Sequence, residues 1–166
     1  MFGRIAKTAL IAAVGFYLAL VVFNNLTDYG SNYAFVHHVL AMDTTFPGNG
    51  GMWRALSSPM MAHLFYVTII AWEAAACALL LAGAWRLWQQ RRADAATFNN
   101  AKQLAIAGLT LNLLQWLVAF LAVGGEWFLM WQSSTWNASD DAGRMFAIVG
   151  IVLLFVNTRD EEQGIA

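Results

Sequence analysis

Uncharged stretches recur along this chain at helical lengths, separated by segments where polar and aromatic residues crowd together. Positions 8–27, 103–125 and 145–158 contain no Asp, Glu, Lys or Arg, and positions 55–85 contain a single acid, Glu73. A bilayer's hydrocarbon core, about 30 Å thick, is crossed by about 20 helical residues. The pattern therefore predicts an all-α polytopic membrane protein. Its single domain, 1–166, is a four-transmembrane-helix bundle with spans at about 5–25, 62–86, 102–124 and 142–158. The fourth window is the shortest: its 14 uncharged residues make about 21 Å of helix. Starting it near Ala142 adds a turn, with Arg144 snorkelling toward the headgroups.

Composition sharpens this picture. Apolar residues make up 60% of the 166 positions and charged residues 11%, against about a quarter charged in ordinary soluble domains. A net charge of −1 gives no electrostatic footprint for nucleic acid. The single cysteine, Cys77, excludes an intrachain disulfide and a cysteine-based zinc site. Arg4 and Lys7 before an apolar stretch begin like a signal peptide, but Phe23-Asn24-Asn25-Leu26 is no small-residue cleavage site, so an uncleaved first span is expected. There is no internal repeat, low-complexity tract or nucleotide-binding glycine loop. The triplets at Asn25 and Asn137 match glycosylation acceptors by chance.

Seven of the nine basic residues fall on one side of this scheme: Arg4, Lys7, Arg86, Arg91, Arg92, Lys102 and Arg159. Arg54 and Arg144 fall on the other. Cytoplasmic segments accumulate Lys and Arg, which predicts both termini in the cytoplasm. The two outer segments, 24–61 and 124–141, carry Tyr29, Tyr33, Phe35, Trp53, Trp127, Trp131 and Trp136, types that favour the membrane interface. Short interfacial helices are expected at 33–41 and 51–56, broken by Pro47-Gly48-Asn49-Gly50-Gly51, with Pro59 at the entrance to the second span.

Glu73 is the chemical anomaly. It lies about ten residues into its span, about 15 Å deep, where an unpaired charge costs at least a few kcal/mol and a carboxyl should face the bundle interior. Helical stepping puts Tyr66, Ile70, Glu73 and Cys77 on one face, with Thr68 off it and His63 at its outer edge. The third span offers Asn112 and Gln115, in line with Gly108 and Ala119. A neutral Glu73 hydrogen-bonded to Gln115 or Asn112 is the expected arrangement, because a low dielectric disfavours the charged form. It serves as interhelical glue, as a proton-handling or ligand-binding group, or as a contact to another subunit.

The histidines all fall on the outer side. His37 and His38 are adjacent, so on a helix they diverge. A haem held by His63 with His37 or His38, a metal site from His37 or His38 with Asp43 and His63, and a quinone ring in the aromatic belt are alternatives without supporting spacing. No cofactor and no metal is the primary expectation. In the outer loops Asp43, Trp53, Arg54, Glu126, Trp127 and Trp131 are candidates for a cap, with Arg54 pairing with Glu126 or Asp43 to close the loops over the bundle.

Long polar-aromatic strings carry a resemblance. The runs from Asn32 to Pro47 and from Met52 to Ala55, the Ile70-Ala71-Trp72-Glu73 segment, and the run from Gly124 to Ser133 resemble the bacterial predicted small integral membrane protein family, a domain of unknown function. The likeness covers nearly the whole chain. It implies a four-span inner-membrane protein and assigns no activity and no functional residues.

With no catalytic motif, the residues point to a non-catalytic membrane protein acting by association. Its partners would be lipid and a membrane-protein neighbour or further copies of itself, for instance as an accessory subunit of a respiratory enzyme. A small channel or proton-coupled carrier using Glu73 with Gln115, and a haem- or quinone-binding redox subunit, are the alternatives.

Overall fold

The computed structural model describes residues 1–162. The described residues form helices and no strand. These are α1 (Phe2–Thr27), α2 (Tyr29–Ala41), α3 (Pro59–Gln89), α4 (Ala95–Ala101), α5 (Gln103–Leu114), which runs into a π-helical segment (Gln115–Trp127), and α6 (Ser139–Asn157). Short 3₁₀ turns at Met52–Arg54 and Met130–Gln132 complete the loops.

Local sequence explains where these helices begin and end. Ser58 is extended and Pro59 takes the first helical position of α3, where its missing N–H is no loss. Asp94 caps α4 by accepting from the Thr97 backbone N–H at 2.8 Å. That bond, with a second from the Thr97 hydroxyl, holds the Asp94 carboxyl below its ordinary range. α2 ends on Met42 and the π segment is followed by Leu129, both in the left-handed region at φ 53° and 55°. This conformation costs non-glycine residues about 1–2 kcal/mol. Burial of Met42 itself and of the neighbouring Met130 offsets it.

α1, α3, the α5–π helix and α6 run up and down as antiparallel neighbours. α3 packs most extensively on α1 and α5, and α6 closes the bundle against α5, the π segment and α1. The buried stripe of α3 is Ala62, Tyr66, Ile70, Glu73, Ala76, Leu80, Gly83 and Leu87, spaced by three and four residues. Against α5 the register is tight: a β-carbon on Gly83 would lie 2.7 Å from the Ala105 backbone nitrogen, and one on Gly108 would lie 2.9 Å from Leu80. Small residues let the two backbones approach in this way. Lipid-facing positions such as Phe16, Leu20, Leu64, Val67, Ile151 and Leu154 stay exposed.

Three helical stretches are long and apolar enough to cross a membrane: Phe2–Thr27, Pro59–Gln89 and Ala95–Trp127. They contain the first three expected spans and extend each at its ends. α6, the fourth expected span, has 19 residues, and Asp140, Asp141 and Arg144 in its first turns keep it out of that class. Of the expected interfacial helices, 33–41 begins earlier, at Tyr29, and 51–56 shrinks to Met52–Arg54. The helix α4 and the change to π geometry at Gln115 were not expected.

Candidate functional site

Glu73 lies inside the bundle, 3% exposed. Its two carboxylate oxygens are taken by different helices: Asn25 Nδ2 of α1 donates to one at 2.6 Å, and Gln115 Nε2 donates to the other at 3.0 Å. The Tyr66 hydroxyl donates to the Asn25 backbone carbonyl at 3.1 Å, fixing the residue that holds Glu73. Trp72, beside Glu73, donates its indole N–H to the Leu111 carbonyl at 2.9 Å. One turn later the backbone widens to π geometry, and Gln115 opens that segment. The residue that meets the carboxyl is thus the first of a 13-residue π segment.

Gln115 is thus the α5-side partner of Glu73, and Asn112 is not. Both Asn112 amide atoms, Gln115 Oε1 and Trp116 Nε1 are buried without a hydrogen-bond partner among the described residues. Most buried polar groups are satisfied, so such a cluster calls for a physical account. Ala119, expected on the same stripe, is only half-buried and lines an apolar cavity instead, because the wider π helix turns it away. Asn25 is the residue around Glu73 that sequence reasoning missed. Its place in a polar run at the end of the first window read as a span boundary.

Toward the α2 end of the bundle the polar contacts continue. The Tyr29 hydroxyl is 2.9 Å from His63 Nδ1, and the Tyr29 ring sits 4.7 Å from that of Tyr66. His63 also stacks on Tyr33 at 4.1 Å, and Tyr33 in turn contacts His37 at 5.9 Å. His38, edge-on to His37 at 5.8 Å, takes other polar partners: its Nδ1 is 2.7 Å from Asp43 Oδ2, and its ring stacks on Trp136 at 4.7 Å. The three histidines do not converge. Among the described residues no group of three His, Cys, Asp or Glu could hold a metal ion.

The outer loops are stitched into a cap. Thr44 bonds Ser133 at 2.8 Å, and the Phe46 backbone N–H donates to the Gln132 side chain at 3.1 Å. Trp53 meets Trp127 edge-on at 5.7 Å, and Phe46 meets Trp131 likewise at 5.8 Å. The expected ion pair of Arg54 with Glu126 or Asp43 is replaced. Arg54 donates to the Glu126 backbone carbonyl at 3.4 Å and lies over the Trp53 and Trp127 rings at 5.8 and 5.4 Å. Behind the cap, an apolar cavity of about 210 Å³ lies between α2, α3 and the π segment.

At the opposite end three cations converge. Lys7 and Lys102 both reach Asp160 Oδ2, at 2.6 and 2.5 Å, and both donate to the Thr158 carbonyl. Arg4 lies beside them, donating to the Ala93 carbonyl at 2.5 Å with its guanidinium over the Phe98 ring. Burial pushes the Asp160 carboxyl up, but the two lysines outweigh it and hold it below its ordinary range. Sequence reasoning counted these lysines only toward orientation, and no local signal paired them with a residue more than 50 positions away.

A family described as predicted small integral membrane protein matches residues 3–159. No curated protein and no solved structure matches the chain.

Proposed function

The chain belongs to the predicted small integral membrane protein family, and from that premise we propose that it acts by association, as an accessory subunit of a larger complex in a bacterial inner membrane. The observation that carries this reading is the cap. Trp53 is 76% exposed and Trp127 and Trp131 each 48%, alongside exposed Phe46 and Met52. These side chains project from loops cross-linked to each other by hydrogen bonds and ring contacts. Aromatic residues, Met and Arg are the types enriched at protein interfaces, and large side chains held in place in advance lose little entropy on binding.

In this reading α6 is a fourth crossing, antiparallel to the α5–π helix, with its three charges at the outer headgroups. The end bearing Arg4, Lys7, Lys102 and Asp160 faces the cytoplasm, in keeping with the excess of Lys and Arg there. The partner is a membrane protein whose outer surface offers apolar pockets for the Trp53 and Trp131 rings.

The test is blue-native electrophoresis of the protein expressed at its own level and extracted in mild detergent. It should run as a complex containing one fixed second polypeptide. The Trp53→Ala/Trp131→Ala variant should fall to the position of the small protein alone with its helicity intact. A parent protein that runs as a monomer or homo-oligomer overturns the proposal.

A further inference from the structure

A line of polar groups runs from the α2 end of the bundle to Glu73. His63 is exposed at the outer end, ten residues before Glu73 and about 15 Å along the helix. Between them the contacts are continuous: His63 to the Tyr29 hydroxyl, Tyr29 against Tyr66, Tyr66 to the Asn25 carbonyl, and the Asn25 amide to Glu73. In the other direction, beyond Asn112, the interior is apolar. Ile11, Val14, Leu18, Ala76, Leu80, Leu87, Leu109 and Val149 form one buried cluster. The next buried charges are Arg4, Lys7 and Lys102 at the far end. A run of polar contacts reaches Glu73 from the α2 side only.

The partners of Glu73 suit both of its protonation states. In the arrangement seen, two amide N–H groups face the two oxygens, which serves a carboxylate. A neutral carboxyl carries an O–H and needs an acceptor. Gln115 has one in reserve: its Oε1 is buried and has no partner among the described residues. Turning the Gln115 amide end over end brings that oxygen to Glu73 and sends the NH₂ outward. Asn112, three residues back on the same helix face, is buried with donor and acceptor both unpartnered. A pair that served only as glue would need one arrangement and no reserve.

We propose that Glu73 is a proton-binding site open to the α2 side of the membrane alone, and that the Gln115 amide turns over when the proton binds. A hydronium ion from the α2-side solution delivers the proton past His63, Tyr29, Tyr66 and Asn25 and is left as water when the proton bonds to a Glu73 oxygen; the site's charge changes from −1 to neutral. Few other titratable groups face it. Tyr66 on α3 and Tyr17 on α1 are its electrostatic neighbours. Asp28, at the α1–α2 junction, and Tyr29 act on Tyr66. From α6, Asp141 and Arg144 act on Tyr17 and are paired with each other. The α5–π helix offers only amides.

The test is infrared difference spectroscopy of the protein in oriented liposomes. Using Glu126→Gln/Glu161→Gln/Glu162→Gln makes Glu73 the only glutamate. The three replaced side chains are exposed, so this variant keeps the fold. ¹³C labelling of glutamate then assigns the carboxyl band without substituting Glu73. The band should rise and fall with the pH of the α2-side solution between about 4 and 10, the interval from ordinary carboxyl to phenol values. A side-chain amide band lost in Gln115→Leu should change with it. A glutamate band that never titrates, that follows the pH of the opposite solution equally well, or that titrates with the Gln115 amide unmoved overturns the proposal.

Discussion

Asp160→Ala should be among the most damaging single substitutions at the end of the bundle where Lys7, Lys102 and Asp160 meet. In the folded protein one carboxylate oxygen serves Lys7 at 2.6 Å and Lys102 at 2.5 Å, and these distances hold the two ammonium groups within about 5 Å of each other. The side chains of Lys7, Lys102 and Asp160 are 5%, 4% and 12% exposed. At an effective dielectric constant near 20, two like charges about 5 Å apart repel by about 3 kcal/mol. Without the carboxylate, that repulsion stands uncompensated. One lysine can escape by losing its proton, at about 1.4 kcal/mol per pH unit below its usual value, or about 4–5 kcal/mol at pH 7. The Thr158 carbonyl and Asn99 still accept hydrogen bonds from the lysines, which limits the damage. The expected loss is about 3–5 kcal/mol, the range seen when one partner of a buried pair is removed. Reversible unfolding in mixed detergent, followed by tryptophan fluorescence, measures it. Asp141→Ala is the control: its pair with Arg144 is 63% and 68% exposed and should be worth under about 1 kcal/mol. The sign with pH also follows. A carboxyl held below its ordinary range stabilises fully above its unfolded value near 3.9. It loses that contribution as pH falls through the lower folded value, so parent and variant converge only below about pH 4. An Asp160→Ala protein within about 0.5 kcal/mol of the parent at pH 7 would refute the buried triad.

Other outcomes follow from the same unfolding assay. Gly83→Ala should destabilise by about 1–3 kcal/mol from overpacking against Ala105, although alanine is the better helix former. Gly143→Ala, with open space around it, should be neutral or stabilise by up to about 1 kcal/mol; equal effects at the two sites would refute the close α3–α5 approach. Asn25→Leu removes a donor to the Glu73 carboxyl and should cost about 1.5–3 kcal/mol, against about 1 for Tyr66→Phe, which loses a bond to a backbone carbonyl. The reverse order would mean that Asn25 does not hold Glu73.

The sequence makes the long helices legible because lipid imposes one rule on every residue of a span: no unpaired charge. Glu73 breaks that rule and so announces itself. Gln115 was within reach because residues three and four apart share a helix face. Asn25 was not, since a polar residue at the edge of an apolar window looks the same whether it faces water or a buried carboxylate. The π segment was hidden too: its apolar residues suit either helix, and hydrogen bonding one residue further back leaves no mark on composition. The Lys7–Asp160–Lys102 cluster depends on chain ends meeting in space. Counting the two lysines only toward orientation concealed their burial. For Arg54 sequence logic sought opposite charge, whereas the folded loops supply a carbonyl and two indole faces.

Everything rests on how the bundle sits in the bilayer, and cysteine labelling reads that directly. With Cys77 replaced by alanine no other cysteine remains. Single cysteines at the exposed positions Asn100, Ser134 and Glu161 can then be offered a membrane-impermeant maleimide on intact spheroplasts. Ser134→Cys should react at once, and Asn100→Cys and Glu161→Cys only after the membrane is opened. Labelling of Glu161→Cys together with Ser134→Cys in intact spheroplasts would show that α6 does not cross and would contradict the four-span arrangement.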